Sequence, residues 1–146
     1  MEEKIKSADL FLQISECFGV PKTPLGAMSP LTLAFLGDAV YSIVIRTIVV
    51  NKGNTASHKL HGKSTEYVSA PAQAKLAELL LERELLSEEE QEILRRGINA
   101  KPKSQAKHAS TKEYHLATGL ETLCGYLYLA GRTDRLLELM SQVLEI

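Results

Sequence analysis

The sequence lacks the features by which several classes of protein are usually identified. It contains no tryptophan and only two cysteines, Cys17 and Cys124, which stand far apart and form no zinc-binding or disulfide-framework spacing. A chain of 146 residues can bury a core without such staples, so we expect a single domain over residues 1–146. The sparse cysteines favour a reducing compartment and predict a cytoplasmic protein. The net charge of −1 indicates no class of partner by itself.

Long apolar runs are also missing. The longest one, residues 39–50, contains Arg46 and is shorter than the roughly 20 residues that span a bilayer. The first residues carry charges of both signs and no signal-like apolar core follows them. Neither strand-like alternation nor a glycine-rich phosphate loop is present. These absences exclude the common membrane, β-sheet and P-loop classes.

What the sequence does contain is a series of helix starts and stops. Ser29-Pro30 is a typical helix beginning and Asn51-Lys52-Gly53 a typical end, which predicts one long central helix. The remaining pattern predicts an all-α fold of about seven helices. Besides the central helix, the first helix is expected over residues 5–18. Two more follow the central helix: one from a cap at Asn54 or Thr55 to about Ala70, and one from Pro71 to about Leu86. The last three are expected from a capping box at Ser87 and Glu90 to Arg96, from Thr111 to Gly131, and from Thr133 onward.

Two acidic residues lie in the middle of predicted helices without a basic residue one turn away. Asp38 is in the apolar central helix, where we expect it to be buried, and Glu121 is in the helix after Thr111. A buried carboxylate without a partner is costly, so each acid needs a metal ion, a distant base or an edge of solvent. The residues around both are mostly small.

Glycines accompany both acids. A glycine inside a helix costs about 1 kcal/mol relative to alanine, yet Gly37, Gly119 and Gly125 are retained there. We expect Gly119 and Gly125 to form a flat face for the helix that carries Gly37, so that Asp38 and Glu121 meet. Two carboxylates with water would suit Mg²⁺ or Mn²⁺. The alternative left open is that each acid lies at a groove edge, bonded to water or another side chain.

Basic residues are concentrated in one acid-free window, 93–112. They form a predicted phosphate-contacting patch, and Lys63 adds a position outside the window; a solvated loop is the alternative. The predicted RNA-contacting residues are Lys63, Arg95, Arg96, Lys101, Lys103 and Lys107. His58 and His61 stand one helical turn apart but lack further ligands, so we expect them at the surface.

The segments FLGDAV at 35–40 and ETLCGYLYLAG at 121–131 together resemble the ribonuclease III endonuclease domain, over nearly the whole chain. This resemblance implies an all-helical homodimer that cleaves double-stranded RNA, leaving 5′-phosphate and 3′-hydroxyl ends. It also implies dependence on Mg²⁺, with Mn²⁺ as a substitute. Asp38 and Glu121 would be the catalytic, metal-binding residues, and the ion would polarise the scissile phosphate and activate water.

The sequence departs from that family pattern in its acids. Leu31 and Ala34 stand where the pattern has glutamates, and Thr118 stands where it has an aspartate. We also expect no double-stranded RNA-binding domain before the end at Ile146. This combination of missing acids and missing domain makes the chain similar to the Mini-ribonuclease III subclass. That similarity implies maturation of the large-subunit (23S) ribosomal RNA precursor, helped by a ribosomal protein. The alternative function is a non-catalytic RNA- or ribosome-binding module.

Overall fold

The structure, a computed structural model, describes residues 10–100 and 111–146, and this part of the chain is all-helical. The all-α prediction is confirmed, with seven α-helices and one short 3₁₀ turn at Leu25–Ala27 in these two ranges. The helices are α1 (Leu10–Phe18), α2 (Pro30–Lys52), α3 (Ser57–Val68), α4 (Ala70–Glu82), α5 (Glu88–Ile98), α6 (Lys112–Leu129) and α7 (Thr133–Val143).

Local capping chemistry sets several of the helix starts. Ser29 accepts a hydrogen bond from the backbone N–H of Thr32, and α2 ends at Lys52 with Gly53 as its C-cap, as predicted. The capping box of α5 is complete, since Ser87 and Glu90 each accept a hydrogen bond from the other's backbone N–H. Thr111 caps α6 through the N–H of Tyr114. These ends follow from side chains within one turn.

Two predicted boundaries are wrong. Helix α3 begins at Ser57 with Ala56 at the N-cap and no side-chain cap, so neither Asn54 nor Thr55 starts it. Helix α4 ends at Glu82 rather than near Leu86. It stops there because Glu84 adopts a left-handed backbone conformation with φ of 53°, which lets the chain turn into α5.

Helices α2 and α6 cross at the centre of the fold, and α4 and α5 pack on α6. Helix α2 as a whole is long and apolar enough to cross a membrane by length and composition, although residues 39–50 alone are too short. Its buried side chains, among them Leu33, Tyr41 and Ile45, belong to the protein core. Part of the apolar composition of α2 is therefore that of a core helix, and the rest is partly or largely exposed in the described part of the chain.

The crossing is close because glycines allow backbone to meet backbone. A Cβ atom on Gly37 would lie 1.7 Å from the carbonyl oxygen of Glu121, and one on Gly125 would lie 2.0 Å from that of Leu33. The expectation for Gly119 is wrong, because a Cβ there would meet Ile98 of α5 at 2.6 Å. Helix α6 is thus approached closely on two sides.

A buried ion pair joins α5 to α7. Glu90 is fully buried, and both its carboxylate oxygens accept hydrogen bonds of 2.8 Å from Arg135. Hydrogen bonding to Arg135 lowers the pKa of Glu90 to about 2, helped by the backbone N–H of Ser87. A carboxylate that is satisfied in this way has a structural role, and it serves as a reference for the acids of the α2–α6 crossing.

Candidate active site

The α2–α6 crossing brings Asp38 and Glu121 together. Asp38 follows the contact glycine Gly37, and the carbonyl that Gly37 approaches is that of Glu121 itself. The two carboxylates interact directly: the charge of Asp38 and a hydrogen bond with it both act on Glu121. The predicted meeting of the two side chains is confirmed. The expected burial of Asp38 is wrong, because Asp38 is exposed at the open edge of the crossing, whereas Glu121 is half-buried.

The environment of Glu121 disfavours its negative charge. Burial is the largest cause, followed by the charge of Asp38, and together they raise the pKa of Glu121 to about 7. Neither acid forms a salt bridge within residues 10–100 and 111–146. This is the opposite of Glu90, whose charge is matched by arginine. The acid pair of the crossing therefore lacks a cation among the described side chains.

A divalent cation suits this donor set. Mg²⁺ is usually held by one or two carboxylates and keeps several waters, so two convergent acids are sufficient. No group of three or more histidine, cysteine or acidic residues is present in the part of the chain that the structure describes, which does not favour a zinc-type site there. Asp38 and Glu121 are thus the residues that would hold the ion.

Gln73 is a member of the site that sequence reasoning missed. It is buried on α4, and hydrogen bonding from its side chain lowers the pKa of Glu121, against the two larger effects. Its Nε2 also donates to the carbonyl oxygen of Val68 at 2.9 Å. The sequence offers only a partial signal, because Gln73 stands three, four and seven residues before the apolar residues Leu76, Ala77 and Leu80 and so shares their helix face. Its contact with Glu121 has no such signal.

The raised pKa of Glu121 predicts a pH-dependent effect of replacing it. Between pH 4.5 and about 7, the folded metal-free protein holds a proton that the unfolded chain releases, so stability falls as the pH rises through this window. We expect Glu121→Gln to raise the melting temperature in chelator at pH 8 and to change it little at pH 4.5. Glu113→Gln, at an exposed acid on the same helix, is the control. Equal effects of Glu121→Gln at both pH values in thermal melts would contradict this account.

The predicted RNA-contacting residues lie in three places. Arg95 and Arg96 are in the last turn of α5, and Arg95 forms an exposed salt bridge of 2.6 Å with Glu92. Hydrogen bonding to Glu92 raises the pKa of the Arg95 guanidinium. Lys63 is exposed on α3. The other predicted contacts lie outside the described residues: Lys101, Lys103 and Lys107.

The two histidines of α3 are not part of the acid site. His58 and His61 are both exposed, as predicted, and they line a cavity of about 510 Å³ between α2 and α3, together with Arg46. This cavity contains neither Asp38 nor Glu121 among its lining residues. The two histidines therefore lie outside the site of the paired carboxylates and are not ligands for a metal ion bound there.

Comparison with known proteins connects this arrangement to a family. Residues 31–132 match the model of the Ribonuclease III domain. The chain belongs to the ribonuclease III family. The match includes both helices that carry the acid pair, so this ribonuclease III domain contains the whole candidate site. Enzymes of the family act on RNA and generally depend on a divalent metal, and the chain is an endoribonuclease of this family.

Individual relatives of this ribonuclease III chain are similar over most of its length. It is 46% identical over 143 residues to Mini-ribonuclease 3 of Thermoanaerobacter sp. (strain X514), covering 96% of this chain and 98% of the relative. It is 41% identical over 119 residues to Mini-ribonuclease 3 of Staphylococcus aureus, covering 82% of this chain and 89% of the relative. A crystal structure of a Fusobacterium nucleatum protein superposes on this chain with a TM-score of 0.68 at 28% sequence identity. The superposition covers 80% of this chain and 92% of the other.

Proposed function

We propose that this endoribonuclease cleaves double-stranded RNA with Mg²⁺, or with Mn²⁺ in its place, and leaves 5′-phosphate and 3′-hydroxyl ends. The observation that carries the proposal is the meeting of Asp38 and Glu121 at the open edge of the α2–α6 crossing, without a matching cation among the described side chains. The site is therefore both acidic and accessible, as a metal-dependent phosphodiesterase requires.

Each of the two acids has a distinct position. Asp38 is exposed on α2 and is therefore open to an approaching RNA, whereas Glu121 on α6 is half-buried where α2 meets its backbone and where Gln73 lies beside it. The cation, when bound, supplies positive charge to the scissile phosphate and lowers the pKa of the attacking water. Glu121 must be ionised to bind it, and a nearby positive charge would favour that form.

Basic residues support binding to an RNA duplex by its backbone. Arg95 and Arg96 lie on α5, which packs against the helix of Glu121. The salt bridge of Arg95 with Glu92 is exposed to solvent and therefore weak, so a phosphate can replace Glu92 at low cost. Together with Lys63 and the lysines at 101, 103 and 107, these residues fit recognition of A-form shape rather than sequence.

An exposed apolar face on α2 supports a homodimer. Phe35 is 83% exposed, and Ile43 and Val50 are also largely exposed. Large apolar side chains in this arrangement are typical of a surface that a partner covers. A two-fold dimer through this face would present two acid pairs to one duplex, one for each strand.

The similarity to the Mini-ribonuclease 3 relatives supports a more specific substrate. We infer that the substrate is the large-subunit (23S) ribosomal RNA precursor and that a ribosomal protein of the large subunit assists cleavage. A cytoplasmic location agrees with this substrate and with the sparse cysteines.

The proposed function is tested with end-labelled RNA of one sequence, supplied as a duplex and as a single strand. We expect cleavage of the duplex in Mg²⁺ or Mn²⁺, none in chelator, and ends that carry a 5′-phosphate and a 3′-hydroxyl. Faster cleavage of the single strand, or cleavage in chelator, would contradict the proposal. Precursor ribosomal RNA, with and without large-subunit ribosomal proteins, tests the finer inference.

A further inference from the structure

Gln73 has a structural role that is repeated elsewhere in the fold. Its Nε2 donates to the carbonyl of Val68 at 2.9 Å, just before the N-cap Ser69 of α4. At the start of α5, Gln91 makes the same bond to Leu86 at 3.1 Å. Both glutamines stand four residues after their N-cap serine. Tying down a helix start is therefore sufficient reason for a glutamine at this position.

That role does not account for the burial of Gln73. Gln91 is exposed, whereas only 2% of Gln73 is exposed and its Oε1 atom has no hydrogen-bond partner among the described residues. The amide cannot be turned round to satisfy Oε1, because the Val68 carbonyl accepts only from a donor and so fixes Nε2 toward it. A buried oxygen without a hydrogen-bond partner has lost its hydration without compensation, which destabilises the fold.

The same side chain contacts an acid of the candidate site. Hydrogen bonding from Gln73 favours the ionised form of Glu121. The unpartnered Oε1 belongs to this planar amide and so lies within a few bond lengths of the donor. The Oε1 atom of Gln73 lacks a hydrogen-bond donor among the described residues, and the acid pair lacks a cation there. One bound group, a cation with its hydrating water, would satisfy both.

We propose that Gln73 is a positioning residue for the metal site: the Nε2 hydrogen that is not donated to Val68 holds Glu121, and Oε1 either coordinates the cation or accepts a hydrogen bond from the water that hydrates it. The inference rests on the proposed function and deepens it. A neutral oxygen suits this place, because a third carboxylate would add to the repulsion already present between Asp38 and Glu121.

The experiment compares Gln73→Leu with Gln91→Leu, the matched variant that loses the same kind of helix-start bond on α5, which carries neither Asp38 nor Glu121. Mn²⁺ binding is measured by electron paramagnetic resonance and Mg²⁺ binding by calorimetry, both without RNA. We expect Gln73→Leu to weaken binding by about 10- to 100-fold, as loss of groups that orient metal ligands does. Gln91→Leu should bind both ions within twofold of the wild type.

A second variant keeps the test decisive if Gln73→Leu does not fold. Gln73→Met keeps the length of the side chain but has neither the N–H donor nor the oxygen, so we expect it to weaken Mn²⁺ binding to the same degree as Gln73→Leu. Binding within twofold of the wild type by whichever of the two variants folds would overturn the inference.

The proposed function and the role of Gln73 fail in different ways. A wild-type protein that binds no divalent cation would overturn the proposed function and this inference together. A wild-type protein that binds Mn²⁺ and depends on Asp38 for cleavage, with Gln73→Leu unchanged in affinity, would overturn only the role of Gln73.

Discussion

Asp38→Asn protein is expected to bind double-stranded RNA at least as tightly as the wild type and to cleave it about 100- to 1,000-fold more slowly in saturating Mg²⁺. The substitution keeps the size of the side chain but removes one of the two carboxylates that residues 10–100 and 111–146 bring together for the cation. Losing one group that stabilises charge in a transition state has effects of this order. Gel shifts in chelator measure binding, and single-turnover cleavage of a labelled duplex measures the rate.

The control for this prediction is Glu113→Gln, which removes an exposed acid from the helix of Glu121 without touching the crossing. Its cleavage rate should equal that of the wild type. Asp38→Asn protein that cleaves at the wild-type rate would contradict the assignment of the site. Wild-type protein that binds duplex RNA but never cleaves it would instead favour the binding-module alternative.

Gly37→Ala is expected to destabilise the fold by about 4 kcal/mol or more, above the 1–3 kcal/mol usual for an overfilled core. The added methyl would lie 1.7 Å from the carbonyl oxygen of Glu121, and backbone atoms cannot move aside as a side-chain end can. The helices must separate, which also moves the two carboxylates apart. Denaturant unfolding should show the loss, with a melting temperature lower by about 10 °C.

The matched control for Gly37→Ala is Gly62→Ala. Gly62 is also inside a helix, but a Cβ there meets nothing within 4 Å, so alanine should be neutral or stabilising by up to about 1 kcal/mol. Gly125→Ala should resemble Gly37→Ala, because its Cβ would meet the Leu33 carbonyl at 2.0 Å. Equal stabilities of the Gly37 and Gly62 variants would show that the crossing is not close.

The parts of this fold that follow from neighbouring residues could be predicted from the sequence. Ser29 and Thr111 cap their helices through N–H groups three residues away, and the Ser87–Glu90 box is equally local. The acid pair could also be anticipated, because a mid-helix glycine and an unpaired acid are each costly unless a close helix contact or a cation compensates. The resemblance to the ribonuclease III domain depended on segments 35–40 and 121–131, which contain these two acids.

What could not be predicted depends on packing between distant parts of the chain. Gly119 and Gly125 look alike in the sequence, yet one faces α5 and the other α2, because they lie on different sides of α6. Asp38 looked buried within an apolar helix, but α2 exposes the edge on which it lies. Gln73 reaches Glu121 only because α4 packs on α6, a contact that no spacing rule specifies.

The most direct test of the paired-carboxylate metal site is the anomalous scattering of Mn²⁺ in crystals of the wild-type protein. We predict a peak between Asp38 and Glu121, with an oxygen of each carboxylate about 2 Å away, as in inner-sphere coordination by hard cations. The peak should vanish in crystals of Asp38→Asn protein. Wild-type crystals with Mn²⁺ bound elsewhere, and with these two carboxylates directed away from each other, would contradict the central claim.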